Sequence, residues 1–201
     1  LSLIFTKLRA QPWRRSRPST RVPGMLSLRP GLCSRWAAQR RIARLPEIQL
    51  ARQANYYMTN TSPNPDWTAT IATSAGIQVG TATYAVTPLD DQLWLYGLEI
   101  APAHRRHGYA LALLWQLHQA HRLPIHPVHE LGTAGGFWQR ARRLASAGLQ
   151  VAEALSLADL EEAKKRWAHL APTHERLQGE IRARLAAGEN WYRAIGRGLD
   201  A

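Results

Sequence analysis

The chain has 201 residues, 45% of them apolar and eight of them Trp, enough for one domain with a real core and not clearly enough for two. Its formal net charge is +12, but residues 1–52 hold 12 Lys/Arg against one acid, Glu47, while residues 53–201 hold 14 Lys/Arg against 13 Asp/Glu. The basicity thus belongs to the N-terminal stretch, and the near-neutral remainder carries no nucleic-acid signature. A single Cys, Cys33, excludes an internal disulfide. His126 and His129 in HPVH have no further ligands at zinc spacing and read as loop histidines, and no apolar run reaches the roughly 20 residues of a membrane-spanning helix.

Residues 1–57 read as a basic, disordered or loosely attached extension, with scattered Arg and Pro and one short helix around 34–44. Three origins compete for it: a transit-peptide-like segment, an arm touching nucleic acid or an acidic membrane surface, or upstream sequence translated from an early start. The last is preferred, because Met58 opens MTNTSPNPDWTATI where strand patterning begins. Residues 58–156 then form the patterned domain. DWTATIATSAG, IQVGTATYAVTPLDD and QLWLYGLEIAP read as three strands of an antiparallel meander, the third apolar on both faces and therefore central. YALALLWQLHQAHR follows as a helix with Leu111, Leu114, Trp115 and His118 on one face. LPIHPV is short and extended; GTAGGFWQRARRLASAG is a second helix stopped by Gly148; LQVAEALSL is a candidate last strand. Residues 157–201 are helical: Ser156 or Asp159 caps a helix through Leu170, another covers 173–187 with Leu177, Ile181 and Leu185 on one face, and NWYRAIGRGL is brief.

IAPAHRRHGYALALL places a Pro, two Arg, two His and one Gly between a strand and a helix. A strand feeding directly into a helix leaves backbone N–H groups unpaired, and these, with the helix dipole, suit a pyrophosphate. Wrapping a diphosphate closely needs one position without a side chain, which Gly108 supplies, and Ala110 keeps the first turn slim. Arg105 and Arg106 add charge at the rim. Taken alone, these six residues read more readily as a plain basic turn.

In context the stretch resembles motif A of the GNAT acetyltransferase superfamily, a strand ending in Val/Ile-x-Pro, two residues, then Arg/Gln-x-x-Gly-x-Gly/Ala opening a helix. Ile100, Pro102, Arg105, Gly108 and Ala110 stand in that register, and Ala134-x-x-Phe137-Trp138 resembles the family's Ala-x-x-Phe/Leu-Tyr. The resemblance covers about residues 66–150. It implies an α/β (α+β) fold, a GNAT-like central mixed and mostly antiparallel sheet flanked by helices, here with a helical C-terminal extension. It also implies a cytoplasmic N-acetyltransferase with acetyl-CoA as acyl donor, an amine acceptor and no metal. The CoA diphosphate would lie on the amides of Arg106, His107, Gly108, Tyr109 and Ala110, with Arg105 at the rim. The pantetheine arm would pair with the backbone of Leu98 and Ile100, and Trp138 would flank the acyl group.

The chain departs from that pattern in several places. Trp138 stands where the family has a Tyr, and an indole cannot give up its proton at neutral pH. Either Trp138 only packs the acyl pocket, or Tyr96 or Tyr109 substitutes, or the thiolate leaves toward water. Leu131 stands where an Asn is frequent, and Arg140, Arg142 and Arg143 extend the second helix, read here as a solvated face. For a base, Glu99 is the one acid in a strand otherwise built for burial, and burial raises a carboxyl toward a useful range; the plainer alternative pairs it with Arg105 or His104. Alternation puts Tyr96 on the other face of that strand, as a catalytic hydroxyl or a core tyrosine. Glu130 and His129 either touch substrate or cap the second helix.

Two other classes compete with an enzyme: a silent GNAT-fold acyl-CoA sensor or interaction module, which Trp138 recommends, and a nucleic-acid-binding accessory protein using the basic tail and the Arg140–Arg143 face. Nucleic acid is an unfavoured partner for the near-neutral domain. A homodimer would use the apolar faces of the C-terminal helices.

Overall fold

The computed structural model describes residues 32–199. Helix α1 (Leu32–Ile42) leads into strand β1 (Ile48–Asn55), followed by β2 (Asp66–Thr73), β3 (Gln78–Val86) and β4 (Leu93–Ile100). Helix α2 (Tyr109–His121), strand β5 (Ile125–Pro127) and helix α3 (Gly135–Arg142) come next, and α4 (Leu157–Lys165), α5 (Ala171–Ala186) and α6 (Trp191–Ile195) complete the chain. The sheet runs in the order β1-β2-β3-β4-β5, antiparallel except for the parallel β4–β5 pair. This is an α+β domain with a mixed, mostly antiparallel sheet flanked by helices.

The expected meander is β2–β3–β4, but the sheet starts earlier. β1 pairs with β2 along its whole length, from Ile48 opposite Thr73 to Asn55 opposite Asp66, and Ala38 of α1 enters the main core. The boundary at residue 58 is therefore corrected: residues 32–57 belong to the domain, while residues 1–31 lie outside the described residues. In IQLARQAN only Ile48 and Leu50 alternate as a half-buried strand should, before polar Arg52 and Gln53. Its place in the sheet is set by eight register pairs with β2 more than by its own apolar pattern.

One face of the sheet carries Leu50, Ile71, Ala82, Tyr84 and Leu95 against Leu113, Leu114 and Leu117 of α2 and Trp138 of α3. α2 is greasier than one stripe, since Ala112, Leu113 and Leu117 are also buried. A second cluster on the opposite face joins Trp94, Val128, Leu160 and Trp167, with the two indole rings 5.5 Å apart. The stretch 149–157 forms isolated parallel bridges, Ile125 to Val151 and Val128 to Leu155, rather than a last strand. Ser156 and Asp159 form the expected capping box, but the helix stops at Lys165, before a short 3₁₀ turn at Ala168–Leu170.

α5 spends its apolar face inside the molecule. Leu177 and Ile181 pack on Ile195, Tyr56 and Tyr57, and Gln178 binds the Met58 N–H and the Tyr56 carbonyl. The face assigned to a second subunit is thus covered by the chain itself. Among the described residues, no helix is long and apolar enough to cross a membrane.

Candidate functional site

β4 parts from β5 early. Leu93 donates to the Pro124 carbonyl and Leu95 accepts from the Val128 N–H, but β5 ends at Pro127, whose ring has no N–H to offer. Against β3 the register slips between Thr83–Gly97 and Tyr84–Leu95, so Tyr96 is an extra residue, a β-bulge. The bulge reverses the alternation. Leu93 and Leu95 face the α2 side; so do Leu98 and Ile100, which pack on the same cluster. Beyond the bulge, Ala101 donates to Val79 of β3, so strand alternation directs the main chain of Leu98 and Ile100 toward the gap left by β5. That is the edge expected to accept a pantetheine arm. One of its acceptors is already used: Arg105 Nε donates to the Ile100 carbonyl at 2.9 Å.

The turn between β4 and α2 is open. Arg105, Arg106 and His107 are exposed, and Gly108, Tyr109 and Ala110 are half-buried. Arg106 (φ 64°) and Gly108 (φ 90°) are both left-handed. No side chain caps α2 and no acid occupies its first turn, so its leading N–H groups and dipole face a rim bearing two exposed guanidinium groups. The structure adds a second reason for Gly108. A Cβ there would lie 3.1 Å from Pro46 Cδ, so the missing side chain makes room for the segment before β1. The imidazole rings of His104 and His107 stand 6.2 and 6.4 Å from the Tyr109 ring. A hollow of about 480 Å³ lies on the β1 side of α2, lined by Leu45, Pro46, Ile48, Trp115 and Gln119, away from the β4–β5 gap.

Trp138 is only 7% exposed and packs edge-on to Phe137 within the main core. Glu99 is exposed, so the burial argument for a base does not apply to it, and among the described residues no cation pairs with it. Arg105, its expected partner, turns to Ile100 instead. Arg142 is no solvated cation: it pairs with Glu130, approaches Glu153 and donates to the Ala152 carbonyl. Glu130 is thus a clamp on α3, and His129 sits in a left-handed turn (φ 57°). Burial lowers the pKa of His126, opposed by a backbone hydrogen bond to Glu153 and by Asp91. Among the described residues, no group of three or more His, Cys, Asp or Glu is arranged to hold a metal ion.

Sequence reading missed Asp66. Burial pushes its carboxyl up to about 6, against a stabilising hydrogen bond from Thr61 Oγ1 at 3.4 Å. Asp66 lies close to Tyr96, whose hydroxyl is raised by burial and by the Asp66 charge. That hydroxyl is buried and finds no hydrogen-bond partner of normal geometry, although Asn60 and Thr61 are also near. The only signal in the sequence was an acid opening a Thr-rich strand, and ordinary strand ends look the same.

No protein-family model matches the chain, and no curated protein matches it.

Proposed function

We propose that the chain is an acyl-CoA-dependent N-acetyltransferase of GNAT-like fold, taking acetyl-CoA as donor and an amine as acceptor in the cytoplasm. One observation carries this reading: the freed main-chain edge at Leu98 leads through an exposed, Arg-bearing turn to the uncapped start of α2. A pantetheine arm needs such an edge and a diphosphate such a terminus. The amides of Arg106 to Ala110 hold the diphosphate, Arg105 and Arg106 neutralise it, and Leu98 pairs with the arm. Trp138 packs behind the acyl group, and Tyr96 takes the hydroxyl role that Trp138 cannot fill.

Calorimetric titration with acetyl-CoA tests it. Saturable binding weakened at least tenfold by Arg106→Glu is expected, since the charge at the rim is reversed without touching the core. No saturable binding overturns the reading. Gly108 is a poor probe, because a side chain there also meets Pro46.

The burial of Trp138 favours a second reading, a catalytically silent acyl-CoA-binding module. Thiol release in the presence of an amine panel separates the two.

A further inference from the structure

Helices α1, α2 and α3 cover one face of the sheet, but α4 to α6 cover only one end of the other. Among the described residues, no helix covers the rest of that face, which is mostly polar. Register places Gln53, Thr68, Thr83 and Gly97 in one row across four strands, and Ala51, Thr70, Thr81 and Glu99 in the next. Thr68, Thr81, Gly97 and Glu99 are exposed, and a Cβ added at Gly97 would meet nothing within 4 Å. At the covered border stand Asp66, bonded by Thr61, and the buried Tyr96 hydroxyl, which has no partner of normal geometry among the described residues although Asn60 and Thr61 are near. Among the described residues, no strand residue directed to this face is Lys or Arg; its one imidazole, His126 beside Trp94, has its pKa lowered by burial. Two acids and no Lys or Arg among the described strand residues of one flat face favour a cationic ligand.

Glu99 and Asp66 lie two strands and two same-face steps apart. At about 4.8 Å per strand and about 6.8 Å per step, their backbones are roughly 17 Å apart, within reach of an extended polyamine once both side chains lean inward. The floor between them ends at Gly97, next to the gap where β4 leaves β5.

We propose that this face binds a linear polyamine across Gly97, with one ammonium on Asp66 beside the Tyr96 hydroxyl and a second on Glu99. The assignment rests on the acetyltransferase reading for its chemistry and names the acceptor class of that site. The Asp66 carboxylate takes one proton from the ammonium, and the freed amine forms its bond to the thioester carbonyl carbon. The C–S bond breaks, and the nitrogen's second proton ends on the departing thiolate. Asp66 then releases its proton to water, leaving amide and thiol. The raised Asp66 carboxyl suits that exchange near neutrality, with the Tyr96 hydroxyl beside it.

Calorimetry with spermidine on the full chain, without acetyl-CoA, tests the site directly. Binding is expected to weaken at least tenfold in Gly97→Val, which fills open space without touching the fold, and in Asp66→Asn. Glu99→Gln should weaken spermidine but not butylamine, which has no second cation. With acetyl-CoA present, Asp66→Asn should lower kcat/KM at least 100-fold while acetyl-CoA affinity stays within twofold. Spermidine binding that is absent, or equal in wild type, Gly97→Val and Asp66→Asn, overturns the site even if acetyl-CoA binds. Asp66-dependent spermidine binding without acetyl-CoA binding keeps the polyamine site and removes the acetyltransferase.

Discussion

Tyr96 and Glu99, three positions apart on β4, point to the same face of the sheet. Regular alternation would set them on opposite faces; the extra residue at the Tyr96 bulge brings them together, and it moves Leu98 and Ile100 onto the core side with Leu93 and Leu95. Because the buried Tyr96 hydroxyl has no partner of normal geometry among the described residues, its removal relieves a desolvation cost more than it breaks a bond. Tyr96→Phe is expected to hold or raise stability by about 1 kcal/mol in urea denaturation. The same variant should lower turnover by about 10-fold or more if the hydroxyl protonates the leaving thiolate.

Asp66 gives stability a pH slope of defined sign. Its folded carboxyl, raised to about 6 from 3.8, holds a proton longer than the unfolded chain does. Its contribution is therefore most favourable below about pH 4, declines as pH rises to about 6, and is flat above. Asp66→Asn should match wild type in unfolding free energy near pH 4 and exceed it at pH 7.5, by about 1–2 kcal/mol after allowing for solvent screening. Coincident curves at both pH values would remove the buried-carboxylate account.

Gly108→Ala is expected to lose about 1–3 kcal/mol, from left-handed strain and from contact with Pro46. Gly108→Asn tolerates the φ better and should lose less than Ala if strain dominates, but more if Pro46 contact dominates. Thermal denaturation of the pair decides which.

The Arg142–Glu130 pair joins α3 to the loop before it, with both side chains about one-fifth exposed. A double-mutant cycle with Arg142→Ala and Glu130→Ala should give a coupling of about 1–2 kcal/mol that shrinks only modestly in high salt. Full screening would place the pair on the surface instead.

A chain beginning at Met58 lacks β1 and leaves all of β2 an unpaired edge. Such a deletion should aggregate and lose cooperative unfolding, whereas deletion of residues 1–31 should retain it. Circular dichroism with size-exclusion chromatography distinguishes the outcomes.

Local signals in the sequence carry much of this. Thr-, Val- and Ile-rich alternation marked β2, β3 and β4; the leucine spacing marked α2; Ser156 with Asp159 marked the start of α4; Gly148, expected to stop the second helix, instead ends the 3₁₀ turn Arg143–Ala147 that follows α3 at Arg142. Each depends on residues within a few positions of one another, where propensity and capping act. β1 escaped because its position comes from pairing with β2, a contact made across the chain. The roles of Gly108, Arg105 and Glu130 likewise turned on partners remote in sequence or around a turn: Pro46, the Ile100 carbonyl and Arg142. Above all, one inserted residue in β4 decided which side chains share a face. The sequence alone determined the order of strands and helices and the glycine-bearing bend before α2, because those follow from near neighbours. The exposed Glu99, the buried Asp66–Tyr96 corner and the polar floor above Gly97 were decided only when β3 met β4 out of step, because sidedness in a sheet depends on register between strands.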